Sequence, residues 1–257
     1  MPKNQAISKA EFFVAAQQGL CERVRSALET NPEWAREYDE DGFTALQSAA
    51  YFAHPLCVEV LLELSEVDAG SEHEGYTALM LAAGDGNERI VSMLLPRAHA
   101  RATSHTGDTA LMKAVMSGSI QCVRALLPVS DAKAIRADGK TALICAARGD
   151  DLECIKALVP VSDVAAVEKT GMTALDWSRQ RPDWKCADIL AAAMSEKEAK
   201  RLRKSAPKNV SLPLCAVVIE RAELKKAVAE TALVAKKPGS GRAKAPAVRT
   251  TRATRRV

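Results

Sequence analysis

The sequence predicts an all-α fold, a helical solenoid of about six helix–turn–helix units followed by a largely disordered basic tail. Three observations carry that expectation. A stretch is written five times, with glycines at 42, 75, 107, 139 and 171, so the steps are 33, 32, 32 and 32 residues. A constant period in that range marks a stacked repeat array. Of the 257 residues, 47% are hydrophobic but only 4% aromatic, which suits helices that meet through Ala and Leu. The charge is divided: residues 1–195 hold 19 Lys+Arg against 27 Asp+Glu, and residues 196–257 hold 17 against 5. The array is therefore expected over 1–195 and the tail over 196–257.

Residues 8–40 read as an N-terminal cap. Ser8 and Glu11 have capping-box spacing, and Phe12, Phe13, Ala15 and Ala16 give a first helix that Gly19 can end. Val24 and Leu28 face a second helix, which Asn31-Pro32 stops. Repeats follow near 41–73, 74–105, 106–137, 138–169 and 170–195. In each, the glycine offers a backbone position with positive φ for a tight turn. Thr44, Thr77, Thr109, Thr141 and Thr173 stand at N-cap positions, ahead of an Ala-Leu helix start. Second-helix stripes run Val58/Leu61/Leu62, Ile90/Met93/Leu94, Val123/Leu126/Leu127 and Ile155/Leu158/Val159. Pro96, Pro128 and Pro160 end three of them.

The last repeat departs from the pattern, and Trp177 and Trp184 read as a seal on the open end of the array. Beyond Ser195, EKEAKRLRK prolongs a helix, Leu212–Ile219 is apolar enough to dock, and 220–237 is a lone helix. From Pro238 the chain carries Arg242, Lys244, Arg249, Arg252, Arg255 and Arg256 with no acid and no core-forming pattern, so it is expected to be disordered.

Turn glycine, Thr-x-Leu start, Ala-Ala, Gly break and Val-x-x-Leu-Leu together resemble the ankyrin repeat, over about 8–195. The TALM and LLP wording is similar to long ankyrin arrays of some protists. The usual Pro is Ala throughout, and the family's His position holds Gln47, Met80, Met112, Ile144 and Asp176, so the family's Thr–His bond is absent. The 32-residue step also trims the projecting hairpin. The resemblance implies partner contacts at the turn tips and the concave ends of the first helices. On this chain those positions are Tyr38, Glu40, Asp41, Phe43, Tyr51, Phe52, His73, Glu74, Tyr76, Asp85, His105, Asp108, Met116, Ser117, Asp138, Lys140 and Arg148. Five of the ten aromatics fall in this set, overlapping a zone from Glu29 to Glu74 with twelve carboxylates and one Lys or Arg, Arg36. A basic segment is the natural partner, whether from another protein or from this chain's own tail.

Other chemistries find little support. Cys57, Cys122, Cys154 and Cys186 share one repeat position, roughly one helix-pair spacing of about 10 Å apart, too far for joint ligation or a disulfide. They read as core residues, and no cofactor or metal is expected. His54, His73, His99 and His105 show no ligand spacing. No phosphate loop or nucleophile elbow occurs, and no apolar run reaches the roughly 18 residues of a membrane span. The opening MPKNQAISKAEFF lacks the apolar core of a secretion signal. The expectation is a non-catalytic protein-binding scaffold in the cytoplasm. The alternative is a nucleic-acid or polyanion tether acting through the tail, with KRLRK at 200–204 and the Arg-rich end as nuclear-import signals.

Overall fold

The computed structural model describes residues 7–180 and 185–194. Within them the chain forms α1 (Lys9–Gln17), α2 (Cys21–Thr30), a 3-10 turn (Pro32–Arg36), α3 (Ala45–Tyr51), α4 (Pro55–Leu62), α5 (Ala78–Gly84) and α6 (Glu88–Leu94). It continues with α7 (Ala110–Met116), α8 (Ile120–Leu126), α9 (Ala142–Gly149), α10 (Leu152–Leu158), α11 (Ala174–Ser178) and α12 (Lys185–Ala193). Odd-numbered helices stack on one another in one layer and even-numbered helices in a second, each pair a hairpin packed on the next. Everything beyond Met194, including the six tail bases, lies outside the described residues, as does Trp184.

Each inner helix starts where its threonine is. The hydroxyls of Thr44, Thr77, Thr109, Thr141 and Thr173 accept from the amides of Gln47, Met80, Met112, Ile144 and Asp176 at 3.2–3.4 Å. That satisfies one of the orphan amides of every first turn. Ser8 and Glu11 form the capping box of α1. The five repeat glycines have φ between +70° and +86°. Close approach adds a second reason for glycine: a Cβ on Gly75 would lie 2.7 Å from the His105 ring, and one on Gly139 2.8 Å from the Lys169 amide.

Those contacts exist because consecutive turns are stitched together. Glu72, His105, Ala137 and Lys169 each donate a backbone N–H to the preceding turn, at Gly42, Glu74, Thr106 and Asp138, over 2.8–3.1 Å. The extra residue of the 33-residue step sits here too. Gly75 closes its turn on Ser71, four residues back, whereas Gly107, Gly139 and Gly171 close on the residue three back. With loops this short the turns carry two isolated bridges, Tyr38–Thr44 and Val167–Thr173, and the described residues contain no strand.

Leu46, Leu79, Leu111, Leu143 and Leu175 are all buried between neighbouring helices. The outer layer contributes Cys57/Val58/Leu61, Ile90/Val91/Leu94, Cys122/Val123/Leu126 and Cys154/Ile155/Leu158. Two of the three expected stripe residues are buried in every helix, and the third, Leu62, Met93, Leu127 or Val159, sits at the half-buried edge. Seven- and eight-residue helices present a face of i, i+1 and i+4, and the cysteine column fills one corner of it. Phe12 anchors the cap, with Phe13 and Trp34 rings 5.3 and 5.6 Å away. No helix among the described residues is long and apolar enough to cross a membrane.

A candidate partner-docking groove

The last-turn position of the inner helices is occupied in successive repeats by Tyr51, Gly84, Met116 and Arg148, and Gln180, just past the end of α11, takes the equivalent place in the last repeat. Between a phenol and a thioether, Gly84 leaves a gap. A groove of about 880 Å³ opens over it, lined by Gln17, Asp41, Phe43, Ser48, Tyr51, Phe52, Glu74, Tyr76, Met80, Leu81, Gly84, Asp85, Lys113, Met116 and Ser117. Tyr51 and Phe52 are 56% and 48% exposed, their rings edge to face at 5.1 Å. Large exposed rings at the mouth of a concave site are where binding energy concentrates. The carboxylates of Asp41, Glu74 and Asp85 stand around them, all exposed. The groove already holds one cation against a ring: Lys113 Nζ lies 4.0 Å from the Tyr76 centroid.

A second, smaller cleft of about 410 Å³ lies over the next two repeats, lined by Val115, Met116, Cys145, Arg148, Gly149, Trp177 and Gln180. Arg148 is stacked over Trp177 at 4.9 Å. Met116 lines both spaces, so they adjoin.

Of the sequence-derived contact residues, Asp41, Phe43, Tyr51, Phe52, Glu74, Tyr76, Asp85, Met116 and Ser117 meet in the first groove, and Arg148 lies in the second cleft. Glu40, His73 and His105 are exposed at turn tips away from both linings. Tyr38 is half-buried and donates its hydroxyl to the Gly70 carbonyl at 3.1 Å, a tie to the next turn. The acidic zone is itself split, for Glu29, Glu59 and Glu63 flank a different cleft between α2 and α4.

Asp108, Asp138 and Lys140 are used by the array itself. Asp108, 2% exposed, accepts from the hydroxyls of Thr106 at 3.0 Å and Tyr76 at 3.4 Å, with Lys113 Nζ at 3.8 Å and Arg136 Nη1 at 3.2 Å. Arg136 continues to Asp138 at 3.6 Å, Asp138 to Lys140 at 2.6 Å, and Lys140 to Glu168 at 3.7 Å. Glu168, 4% exposed, then accepts from Trp177 Nε1 at 2.9 Å. Neither Asp108 Oδ1 nor Arg136 Nε makes a well-aligned hydrogen bond, so that link is held by charge. Burial pushes the Asp138 carboxyl up, but side-chain and backbone hydrogen bonds from Lys140 and the Arg136 charge outweigh it and hold the group below its ordinary value. A surface role for Asp108 is thus corrected: it is the buried end of an alternating ion ladder across three consecutive turns.

Burial also raises the cysteines, Cys57 and Cys145 to about 11 and Cys154 to about 12. Such thiols are poor nucleophiles and ligands at neutral pH, as core residues should be.

A family model described as ankyrin repeats matches three times, over 12–105, 64–135 and 90–166, more than half of the chain. The chain belongs to the ankyrin-repeat family. Two curated relatives agree. An ankyrin repeat protein of Neisseria meningitidis serogroup B is 38% identical over 73 residues, 28% of this chain and 29% of the relative. The mouse ankyrin repeat and SAM domain-containing protein 6 is 36% identical over 88 residues, 34% of this chain and 10% of the relative. The aligned regions thus cover less than a third of either relative's length. Ankyrin repeats are generally protein–protein interaction modules. In this array the family's histidine position is put to other uses. Gln47 Oε1 accepts from the Thr44 amide at 2.8 Å, while its Nε2 donates to the carbonyls of Ala69 at 2.7 Å and Tyr76 at 3.0 Å. Asp176 closes a capping box with Thr173. Gly84 and Lys113 were not singled out in the sequence, while Gln47 was read only as a lost Thr–His bond and Trp177 only as an end seal; the single Gly in a column of larger residues was a signal for the gap.

Proposed function

We propose that this ankyrin array is a non-catalytic docking module whose groove over α3, α5 and α7 receives a basic segment of a partner protein. The observation that carries the reading is the meeting of Tyr51, Phe52, Asp41, Glu74 and Asp85 around the gap left by Gly84. Residues 1–195 act as the binding unit and 196–257 as a basic appendage. The tail bases Arg242, Lys244, Arg249, Arg252, Arg255 and Arg256 offer a segment of the same chemistry in the chain itself, which a partner would have to displace. An odd cysteine number with several thiols walled into the core suits a reducing compartment, the cytoplasm, and KRLRK suits nuclear import.

The groove can be closed without disturbing the fold. A Cβ on Gly84 would meet only Lys113 side-chain carbons, at 3.8 Å, and replacing a helical glycine favours the helix. The test is affinity capture with the full chain against Gly84→Leu and against Tyr51→Ala/Phe52→Ala. Partners held by the parent and lost by both variants, at unchanged circular dichroism, support the reading. Identical partner sets overturn it. The 17-to-5 excess of bases after residue 195 favours one second reading, a tether for nucleic acid. In that case removal of 196–257 abolishes capture, and capture is insensitive to Gly84→Leu.

A further inference from the structure

The two clefts have opposite polarity. The larger is ringed by Asp41, Glu74 and Asp85, and its one cation, Lys113, is spent on Tyr76 and Asp108. In the smaller, Arg148 is the charged lining residue. Its guanidinium carbon lies 4.9 Å from the Trp177 ring centroid, and a guanidinium's planar fork of five N–H donors can take several acceptors at once and matches a carboxylate edge-on. Met116, 56% exposed, forms an apolar saddle between the two. Tyr51, Gly84, Met116 and Arg148 occupy one position in consecutive repeats, so they lie along the stacking direction.

Resting on the docking reading above, we propose that these clefts are one bipolar track. It takes an extended peptide with Lys or Arg at the Asp41–Glu74–Asp85 end, an apolar residue on Met116, and an Asp or Glu carboxylate on Arg148. Neighbouring helices are about 8–10 Å apart, so two to three steps from α3 or α5 to α9 span roughly 16–30 Å. An extended chain rises about 3.3 Å per residue, which puts the acid about five to nine residues from the base. A purely basic segment uses half of the track. Charge of both signs also gives the guest a direction, since reversal would set like charges together at both ends.

A displayed random-peptide library panned on the full chain tests this, with individual synthetic peptides then measured by fluorescence anisotropy. The expected winners pair a base with an acid at that spacing. Arg148→Glu weakens them about tenfold or more, and exchanging the peptide's acid for Lys restores binding to that variant. The rescue separates recognition from any loss of folding. Winners that need Tyr51 and Phe52 yet show no acid, or are indifferent to Arg148→Glu, overturn the bipolar track and leave the docking reading standing. If every winner binds Gly84→Leu as well as the parent, the docking reading fails and the track with it.

Discussion

The two ends of the array solve the same problem with different chemistry. In each, side chains flanking the turn glycine must reach the next repeat. Toward the N-terminus the ties are neutral: the Tyr38 hydroxyl on the Gly70 carbonyl, and the Gln47 amide on the carbonyls of Ala69 and Tyr76. The described ion pairs there, such as Lys9–Glu37 and Arg97–Glu63, are exposed and contribute little. Toward the C-terminus the ties are Asp108, Arg136, Asp138, Lys140 and Glu168 in alternation, with Asp108 and Glu168 walled off from water. The lesson is about what a repeat interface demands. It requires that polar groups be satisfied across the step, and amides or charges serve equally. The groove lies where one system gives way to the other, at Tyr76, which takes Lys113 on its face and offers its hydroxyl to Asp108.

Removing the head of the ladder should break the comparison most sharply. Asp108→Ala leaves Arg136, Lys113 and two hydroxyls facing a void, and losing one partner of a buried pair costs about 3–5 kcal/mol. Because array stability sums over neighbours, unfolding should separate into two steps in a urea titration. A single transition at the parent midpoint would deny the ladder its role. On the neutral side, Gln47→Met installs the residue found at positions 80 and 112. It takes the Gln47 partner from the Thr44 amide and the Ala69 carbonyl, and leaves the Tyr76 carbonyl with the Ser71 amide alone, at about 1–3 kcal/mol. The loss should be the same in low and high salt.

Acid should distinguish the halves further. The Asp138 carboxyl is held below its ordinary value, so its contribution is present above that value and is lost as pH falls through the lowered one. Melting temperatures recorded down the acid limb should fall less steeply for Asp138→Asn, whereas Gln47→Met should leave the slope alone. The smallest effect concerns the link between α3 and α4. Ala53 has φ +60°, where the corresponding links carry Gly86 and Gly118 at +73° and +72°. Ala53→Gly should raise stability by about 0.5–1 kcal/mol, read as a small upward shift of the melting temperature.

Much of this was legible in the sequence because a period repeats its own evidence. Five Gly-x-Thr-Ala-Leu starts give turn, cap and buried leucine together, and all five threonines cap as expected. The groove aromatics were legible for the same reason, as rings gathered at variable positions that later copies fill with residues as different as Met116, Ser117, Lys140 and Arg148. The ladder was not. Asp108 and Lys140 follow a turn glycine and read as tip residues, while Arg136 and Glu168, which they meet, precede the next one. Each pair is 28 residues apart, shorter than the period, so alignment of the copies puts the two partners in different columns. Opposite signs at that offset were the available signal. The gap at Gly84 was hidden differently, since a glycine near a helix end reads as a stop before it reads as an absence.

The stitching of the turns has a mechanical side. One backbone hydrogen bond joins each consecutive pair from Gly42–Glu72 to Asp138–Lys169, so a pull along the stack loads these four junctions in series. In series the same force passes through every junction, and extension gathers at the most compliant. The first junction has the longer turn, Ser71 to Gly75, and no ion pair of the ladder beside it. There the Tyr38 and Gln47 hydrogen bonds share the load, as the ion pairs Asp108–Arg136 and Lys140–Glu168 do at the last two junctions.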